Sequence, residues 1–333
     1  MFERTRSIMA AILALGCAVA SAMGAPASDG LEIVRIALDY TPNTNHTGIY
    51  VARALGYFAE EGLAVEVLEP TETASIPLVA TGQSAFGVSM QEYVTMARAQ
   101  GVPVVSIATL FQHNTSGFAA PSDRGIDGPE DFEGLRYGGW GSDLEAVMIE
   151  TVMEAVGADF GSVTMINMGM LDFITAVRRD VADFYWVFYG WQGIHARLEG
   201  VAFDFLPLPE LADVLDYYTP LIITNERMIE RSPETVRRFL RALARGYRYA
   251  VLHPVEGAQL LIDQVPELDP ELVRASQAWI AAETSDELDR WGFQDEEVWR
   301  RFAEWALGNG LIDHPIDPLT AFSNRFLPEA GDG

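Results

Sequence analysis

The feature that most limits how this chain can fold is an alternation of strand and helix patterns that runs through once and then starts again. The first series opens with a β-branched strand, Glu32–Leu38, followed by helix patterns at Thr47–Leu55 and Tyr57–Glu61, closed by Gly56 and Gly62. Leu63–Leu68 then alternates as a half-buried strand. Thr73–Thr81 reads as a helix, Phe86–Ser89 as a strand, Glu92–Gln100 as a helix and Val104–Leu110 as a strand. After a polar stretch, Pro121–Pro129, a second series begins. It has strands at Leu135–Gly138, Val163–Asn167 and Ala182–Phe188, with helices at Asp143–Val156 and Leu171–Arg179 between them. Such repeats predict α/β layers on a mostly parallel sheet. The 333 residues suit two units of roughly 150 residues each.

Leu221–Thr224 reads as a strand leading out of the second unit. Beyond it the pattern is helical: Pro233–Leu252, with Ser232 as its cap, then Val255–Val265, Pro270–Ala282 and Asp295–Gly308. A tail of this kind must pack on one of the two sheets.

The opening residues read as an address. Arg4 and Arg6 precede the apolar run Ile8–Val19, and Ala20-Ser21-Ala22 suits a cleavage site. A signal peptide is therefore expected over residues 1–22, with export to the periplasm. Ala14-Leu15-Gly16-Cys17 offers the alternative of a lipid anchor at Cys17.

Charge and missing residue types exclude several functions. The chain carries 48 Asp and Glu against 22 basic side chains, all of them Arg, for a formal net charge of −26. A chain-wide attraction to nucleic acid is thereby excluded. Without lysine there is no Schiff base, no P-loop lysine and no PLP aldimine. The five His are scattered and the one Cys lies in the leader, so no metal and no cofactor is expected.

Polar chemistry gathers where strands of the two series hand over to helices, the edge at which open α/β sheets bind ligands. Asp39-Tyr40-Thr41-Pro42-Asn43-Thr44-Asn45-His46 carries more hydrogen-bonding groups than a turn requires, although Asn45 or Thr47 capping a helix is the plainer reading. Tyr137-Gly138-Gly139-Trp140-Gly141-Ser142 sits at the matching turn of the second unit. Its glycines would let a ligand approach backbone N–H groups, or would simply make a tight turn. Phe184, Trp186 and Phe188 alternate as core residues, whereas Tyr189 and Trp191, separated by Gly190, are placed to flank a flat ligand. Ser89 and Glu92 form either a further polar loop at this edge or a capping box.

Several of these segments are similar to a known family. Leu55-Gly56-Tyr57-Phe58-Ala59-Glu60-Glu61-Gly62-Leu63 and Gly128-Pro129-Glu130-Asp131-Phe132-Glu133-Gly134-Leu135 resemble segments of ABC-importer substrate-binding proteins. Pro42–Gly48, Tyr137–Ser142 and Trp186–Trp191 resemble the branch that carries thiamine-pyrimidine precursors, which also includes a fungal pyrimidine synthase.

The resemblance implies a two-lobed periplasmic-binding-protein type II α/β fold with two crossover hinges. Lobe one would be residues 31–118 plus 222–327, and lobe two 119–221. It also implies a small heterocyclic ligand, an ABC permease as partner, and a monomer. Riboflavin, another aromatic or a sulfonate is the rival ligand, and a secreted pyrimidine-synthesising enzyme of the same fold is the rival of a different class. The synthase chemistry of the branch uses PLP, a lysine–histidine pair and a cysteine-rich iron motif. At the places of that pair this chain has Ser89 and Tyr93, which implies binding without catalysis. The expected ligand-binding set is Asp39, Tyr40, Asn43, Asn45, His46, Ser89, Glu92, Gly139, Trp140, Gly141, Ser142, Tyr189 and Trp191.

Overall fold

The computed structural model describes residues 30–70, 74–169 and 171–329. The expected leader and Cys17 lie outside the described residues. Among the described residues, ten strands form two five-stranded sheets. They are β1 (Glu32–Ala37), β2 (Leu63–Leu68), β3 (Phe86–Ser89), β4 (Val104–Thr109), β5 (Ser116–Pro121), β6 (Arg136–Gly139), β7 (Thr164–Asn167), β8 (Phe184–Phe188), β9 (Phe203–Pro207) and β10 (Leu221–Asn225).

The first sheet has the order β2-β1-β3-β10-β4 and the second β7-β6-β8-β5-β9. Within each sheet, most of the strands found by alternation are parallel: β1 with β2 and β3, and β6 with β7 and β8. The exceptions are β10, antiparallel to β3 and β4, and β5, antiparallel to β8 and β9. Both lie where the chain changes sheets. It leaves the first sheet after Thr109 and enters the second at Ser116, then returns between Pro207 and Leu221. Ser116–Phe118 therefore belong to the second sheet, inside the segment expected for lobe one.

β5 and β9 escaped the pattern reading. β5 reads Ser-Gly-Phe-Ala-Ala-Pro, with small residues where β-branched ones would have signalled a strand. Gly117 is needed there, because a Cβ would lie 2.4 Å from the Leu206 carbonyl oxygen.

Each sheet has its own core. In the first, Ile36, Phe86 and Ile222 pack under Phe239 and Leu243 of the helix Pro233–Leu252, with Phe86 and Phe239 stacked at 3.8 Å. Ser232 takes the cap position of that helix, but its side chain makes no capping bond. In the second, Phe118, Tyr137, Phe184 and Trp186 pack on Met148 and Val152 of the helix Asp143–Val156.

The helical tail serves both sheets. From the helix Glu296–Gly308, Trp299 enters the cluster on β4 and β10, while Phe302 and Ala306 enter the core of the second sheet. Trp305 Nε1 donates to Thr151 at 3.0 Å. The helix Pro270–Thr284 reaches over the other side, where Trp279 packs on Tyr189 at 5.2 Å. No helix among the described residues is long and apolar enough to cross a membrane.

Candidate functional site

Parallel strands end at the edge where their helices begin, and here those ends supply the two polar loops. After β1, Asp39 stands beside His46, whose Nε2 lies 2.8 Å from Asp39 Oδ1. The other ring nitrogen, Nδ1, accepts the Asn43 N–H at 3.2 Å. The ring proton therefore sits on Nε2 and is donated to Asp39. Asn43 Oδ1 accepts the Asn45 N–H, closing a capping box with His46. The capping role expected for Asn45 or Thr47 thus falls to Asn43, since the longer helix Thr47–Ala54 starts without a side-chain cap. Asn45 contributes its carbonyl to the Tyr247 hydroxyl at 2.7 Å, and Tyr40 is exposed.

After β3, the chain turns at Met90, the cap position of the helix Gln91–Ala99. Ser89 remains in the strand and is buried, so Ser89 and Glu92 do not form the capping box that their spacing allows. Gln91 ties this turn to the second crossover: its N–H reaches the Tyr218 carbonyl, and its Oε1 accepts the Tyr218 N–H.

Glu92 is left fully buried, with neither carboxyl oxygen hydrogen-bonded. Burial pushes its carboxyl up to about 8. Its own backbone N–H opposes this shift, and the nearby Asp39 charge adds to it. An unpartnered buried carboxyl is costly in a finished protein and points to a partner supplied from outside.

Across from this loop, the glycine turn after β6 is organised by Glu145. One of its oxygens accepts the Tyr137 hydroxyl and the Trp140 N–H, both at 2.8 Å. The other accepts the Ser142 N–H at 2.8 Å and the Ser142 hydroxyl at 3.0 Å. Two N–H groups of the glycine turn before the helix, those of Trp140 and Ser142, are therefore engaged from within. Gly139 is required by that arrangement, since a Cβ would stand 2.2 Å from Glu145 Oε1. Gly141 adopts φ 83°, and its Cβ would meet the Asn167 amide.

Trp140 projects from this turn, partly exposed, with Trp186 at 5.1 Å and Phe188 beyond at 5.4 Å from Trp186. Trp186 and Phe188 belong to the core of the second sheet, as their alternation predicts, and back Trp140 in an aromatic wall. Trp186 Nε1 donates to Ser116 Oγ, which bonds Asn114, and Asn114 in turn donates to the Leu215 carbonyl. The wall is thus pinned to both crossovers. The two loops converge on Tyr93, a half-exposed side chain. Its hydroxyl is pushed up to about 12 by burial first, then by Glu92, Glu145 and Asp39.

Tyr189 and Trp191 lie apart from this group. Tyr189 faces Phe205 at 4.8 Å and Trp279, on the opposite face of β8 from Trp186. Trp191 packs against the cluster of Tyr50, Leu261, Val265 and Val273, in the helices of the first unit. Ser276 bonds both Thr44 and the Gly190 carbonyl. The segment Tyr189–Trp191 is therefore a clasp between the units. A sequence signal existed for Glu145, because Ser142-Asp143-Leu144-Glu145 spells a capping box. None existed for the burial of Glu92.

Among the described residues no three His, Cys, Asp or Glu are grouped to hold a metal ion. Comparison with known proteins bears on what these residues are for. The model described as "NMT1/THI5 like" matches residues 43–257. The chain belongs to the NMT1/THI5-like family.

Curated relatives include a formylaminopyrimidine-binding protein from Halalkalibacterium halodurans, 29% identical over 96% of this chain and 97% of the relative. A 4-amino-5-hydroxymethyl-2-methylpyrimidine phosphate synthase from Legionella pneumophila is also 29% identical, over 89% of this chain and 92% of its own length. The riboflavin-binding protein RibY of Chloroflexus aurantiacus is 28% identical, over 90% of this chain and 87% of its own.

Solved structures share the fold. The ligand-binding component of an ABC-type import system from Staphylococcus aureus has a TM-score of 0.69 at 10% identity, covering 91% of this chain and 100% of that one. The alkanesulfonate-binding protein SsuA from Xanthomonas axonopodis pv. citri has a TM-score of 0.66 at 13% identity, covering 87% and 98%. The family member described here therefore has the two-lobed periplasmic-binding-protein type II fold with two crossovers.

Proposed function

We propose that this protein is the solute-binding component of an ABC importer, and that it captures an amino-substituted pyrimidine of the thiamine-precursor class without transforming it. The observation that carries this reading is Glu92, fully buried and unpartnered at the edge where both polar loops end. A neutral carboxyl can donate its O–H to a ring nitrogen and accept an exocyclic amino N–H through its other oxygen. A 4-aminopyrimidine presents that pair side by side. Burial holds Glu92 in its neutral form up to a pH of about 8, so the match is available at neutral pH.

The rest of the cleft suits the same ligand. Trp140, backed by Trp186 and Phe188, offers an aromatic face. Asp39, oriented by His46, offers a second acceptor. Tyr40, Tyr93 and Asn45 complete the rim. The lobes expected at 31–118 plus 222–327 and at 119–221 act as jaws. The formylaminopyrimidine-binding relative, aligned over nearly its whole length, supports this class of ligand.

The same reading makes the mature protein an exported monomer in the periplasm, released from its leader or held at Cys17, that delivers its cargo to a membrane permease. Synthesis of the pyrimidine is disfavoured by the chain's own chemistry, because a chain without lysine cannot form the PLP aldimine that the synthase resemblance calls for. The test is to purify the protein natively, extract its ligand and identify it by mass spectrometry. An aminopyrimidine is expected. Recovery of riboflavin or a sulfonate, or turnover of an added pyrimidine or PLP, would overturn the reading.

A further inference from the structure

We infer that Glu145 is a specificity-determining residue that closes the cleft to phosphorylated and other anionic ligands. The inference rests on the aminopyrimidine reading above and adds to it which members of that class are refused.

The start of a long helix behind a glycine turn is ordinarily a place for an anion, because its free N–H groups and the helix dipole both favour negative charge. Here the helix Asp143–Val156 follows Gly139-Trp140-Gly141-Ser142, so both ingredients are present. Yet the Trp140 and Ser142 N–H groups, the Ser142 hydroxyl and the Tyr137 hydroxyl all donate to the one Glu145 carboxylate. Four donors occupy its two oxygens, and the side chain is fully buried. The protein has placed its own anion where a ligand's would sit.

The surrounding charges point the same way. Asp39 and Glu145 both lie close enough to Tyr93 to push its hydroxyl up. A phosphate or sulfonate placed there would therefore meet these two carboxylates. Like charges forced together at an interface cost several kcal/mol, which corresponds to a loss of affinity of about a hundredfold or more. The neutral alcohol of the same pyrimidine bears no such penalty.

The experiment uses the full chain as wild type, Glu145→Ala and Glu145→Gln, each first checked for a cooperative melt. Calorimetry then measures the affinity of 4-amino-5-hydroxymethyl-2-methylpyrimidine, of its phosphate ester and of inorganic phosphate alone, at one pH and ionic strength. In wild type the ester is expected to bind about a hundredfold more weakly than the alcohol or worse, and inorganic phosphate not at all. In the Ala variant the gap should narrow at least about tenfold, and inorganic phosphate should compete, because the N–H groups are released to it. The Gln variant removes the charge while keeping the side chain's length, and should narrow the gap if the Ala protein does not fold.

Equal binding of ester and alcohol by wild type would overturn the inference. So would a folded Glu145 variant with an unchanged gap. Should wild type bind neither pyrimidine, the functional proposal fails, and the phosphate arm still decides the role of Glu145. A gain of phosphate binding in a folded variant upholds that role, and no gain in either variant refutes it.

Discussion

His46 holds Asp39 by a 2.8 Å hydrogen bond from Nε2, while its Nδ1 accepts the backbone N–H of Asn43. One buried ring thus fixes both the carboxylate and the loop that carries it. Replacing His46 with Ala leaves the Asn43 N–H without its partner and Asp39 unoriented. A loss of stability of about 1–3 kcal/mol is expected, together with weaker ligand binding. Chemical denaturation and calorimetry on His46→Ala check both. Unchanged stability would show that the ring only fills space.

Glu92 gives the protein a pH dependence whose sign follows from its raised folded-state value. An ordinary glutamate carboxyl titrates near 4.5, and burial lifts this one to about 8. Below about 4.5 the group is neutral both folded and unfolded, and its contribution is intact. Between the two values only the unfolded chain releases the proton, so stability falls as pH rises, and the loss is complete above the folded value. Relative to Glu92→Gln, ligand-free wild type should lose on the order of a few kcal/mol between pH 5 and 8. Thermal melts of both proteins across that range make the comparison. Parallel curves would mean that Glu92 is solvated or paired.

Trp140 and Trp191 should behave differently when removed. Trp140 stands on the wall with one face open, so Trp140→Ala should weaken aromatic ligand binding by about 1–3 kcal/mol with a small effect on folding. Trp191 packs among Tyr50, Leu261 and Val265. Trp191→Ala should cost about 3 kcal/mol of stability through the cavity it leaves, with a smaller change in affinity per folded molecule. The pair is read by calorimetry on one side and denaturant midpoints on the other. The opposite pattern would place the ligand face at Trp191.

Much of this architecture was legible because period and punctuation agree along the chain. Leu63–Leu68 alternates and ends cleanly, and Asp143–Val156 runs from a serine cap to a glycine stop. The strands that escaped notice are those whose side chains carry weak signals, such as Ser-Gly-Phe-Ala-Ala-Pro in β5. The site was legible as loops and less so as side chains. Asp39, His46 and Trp140 sit on the connections after β1 and β6, and Glu92 in the first helical turn after β3, all of which sequence position alone assigns to the sheet edge. Whether Tyr189 or Trp186 faces the ligand depends on which side of β8 carries the wall, and period-two alternation cannot say which side that is. Glu92 spells an ordinary capping box with Ser89, and only the tertiary packing around Gln91 and Tyr218 leaves its carboxyl unpartnered.

The central claim is that Glu92 is the group an aminopyrimidine completes. Its most direct test is a calorimetric titration of wild type and Glu92→Ala with formylaminopyrimidine and with the hydroxymethyl alcohol. The account predicts one saturable site in wild type, no product, and at least about a tenfold loss of affinity in the variant, since the ligand's buried polar groups would lack their partner. Binding of equal strength in the two proteins, or product released from either, would contradict it.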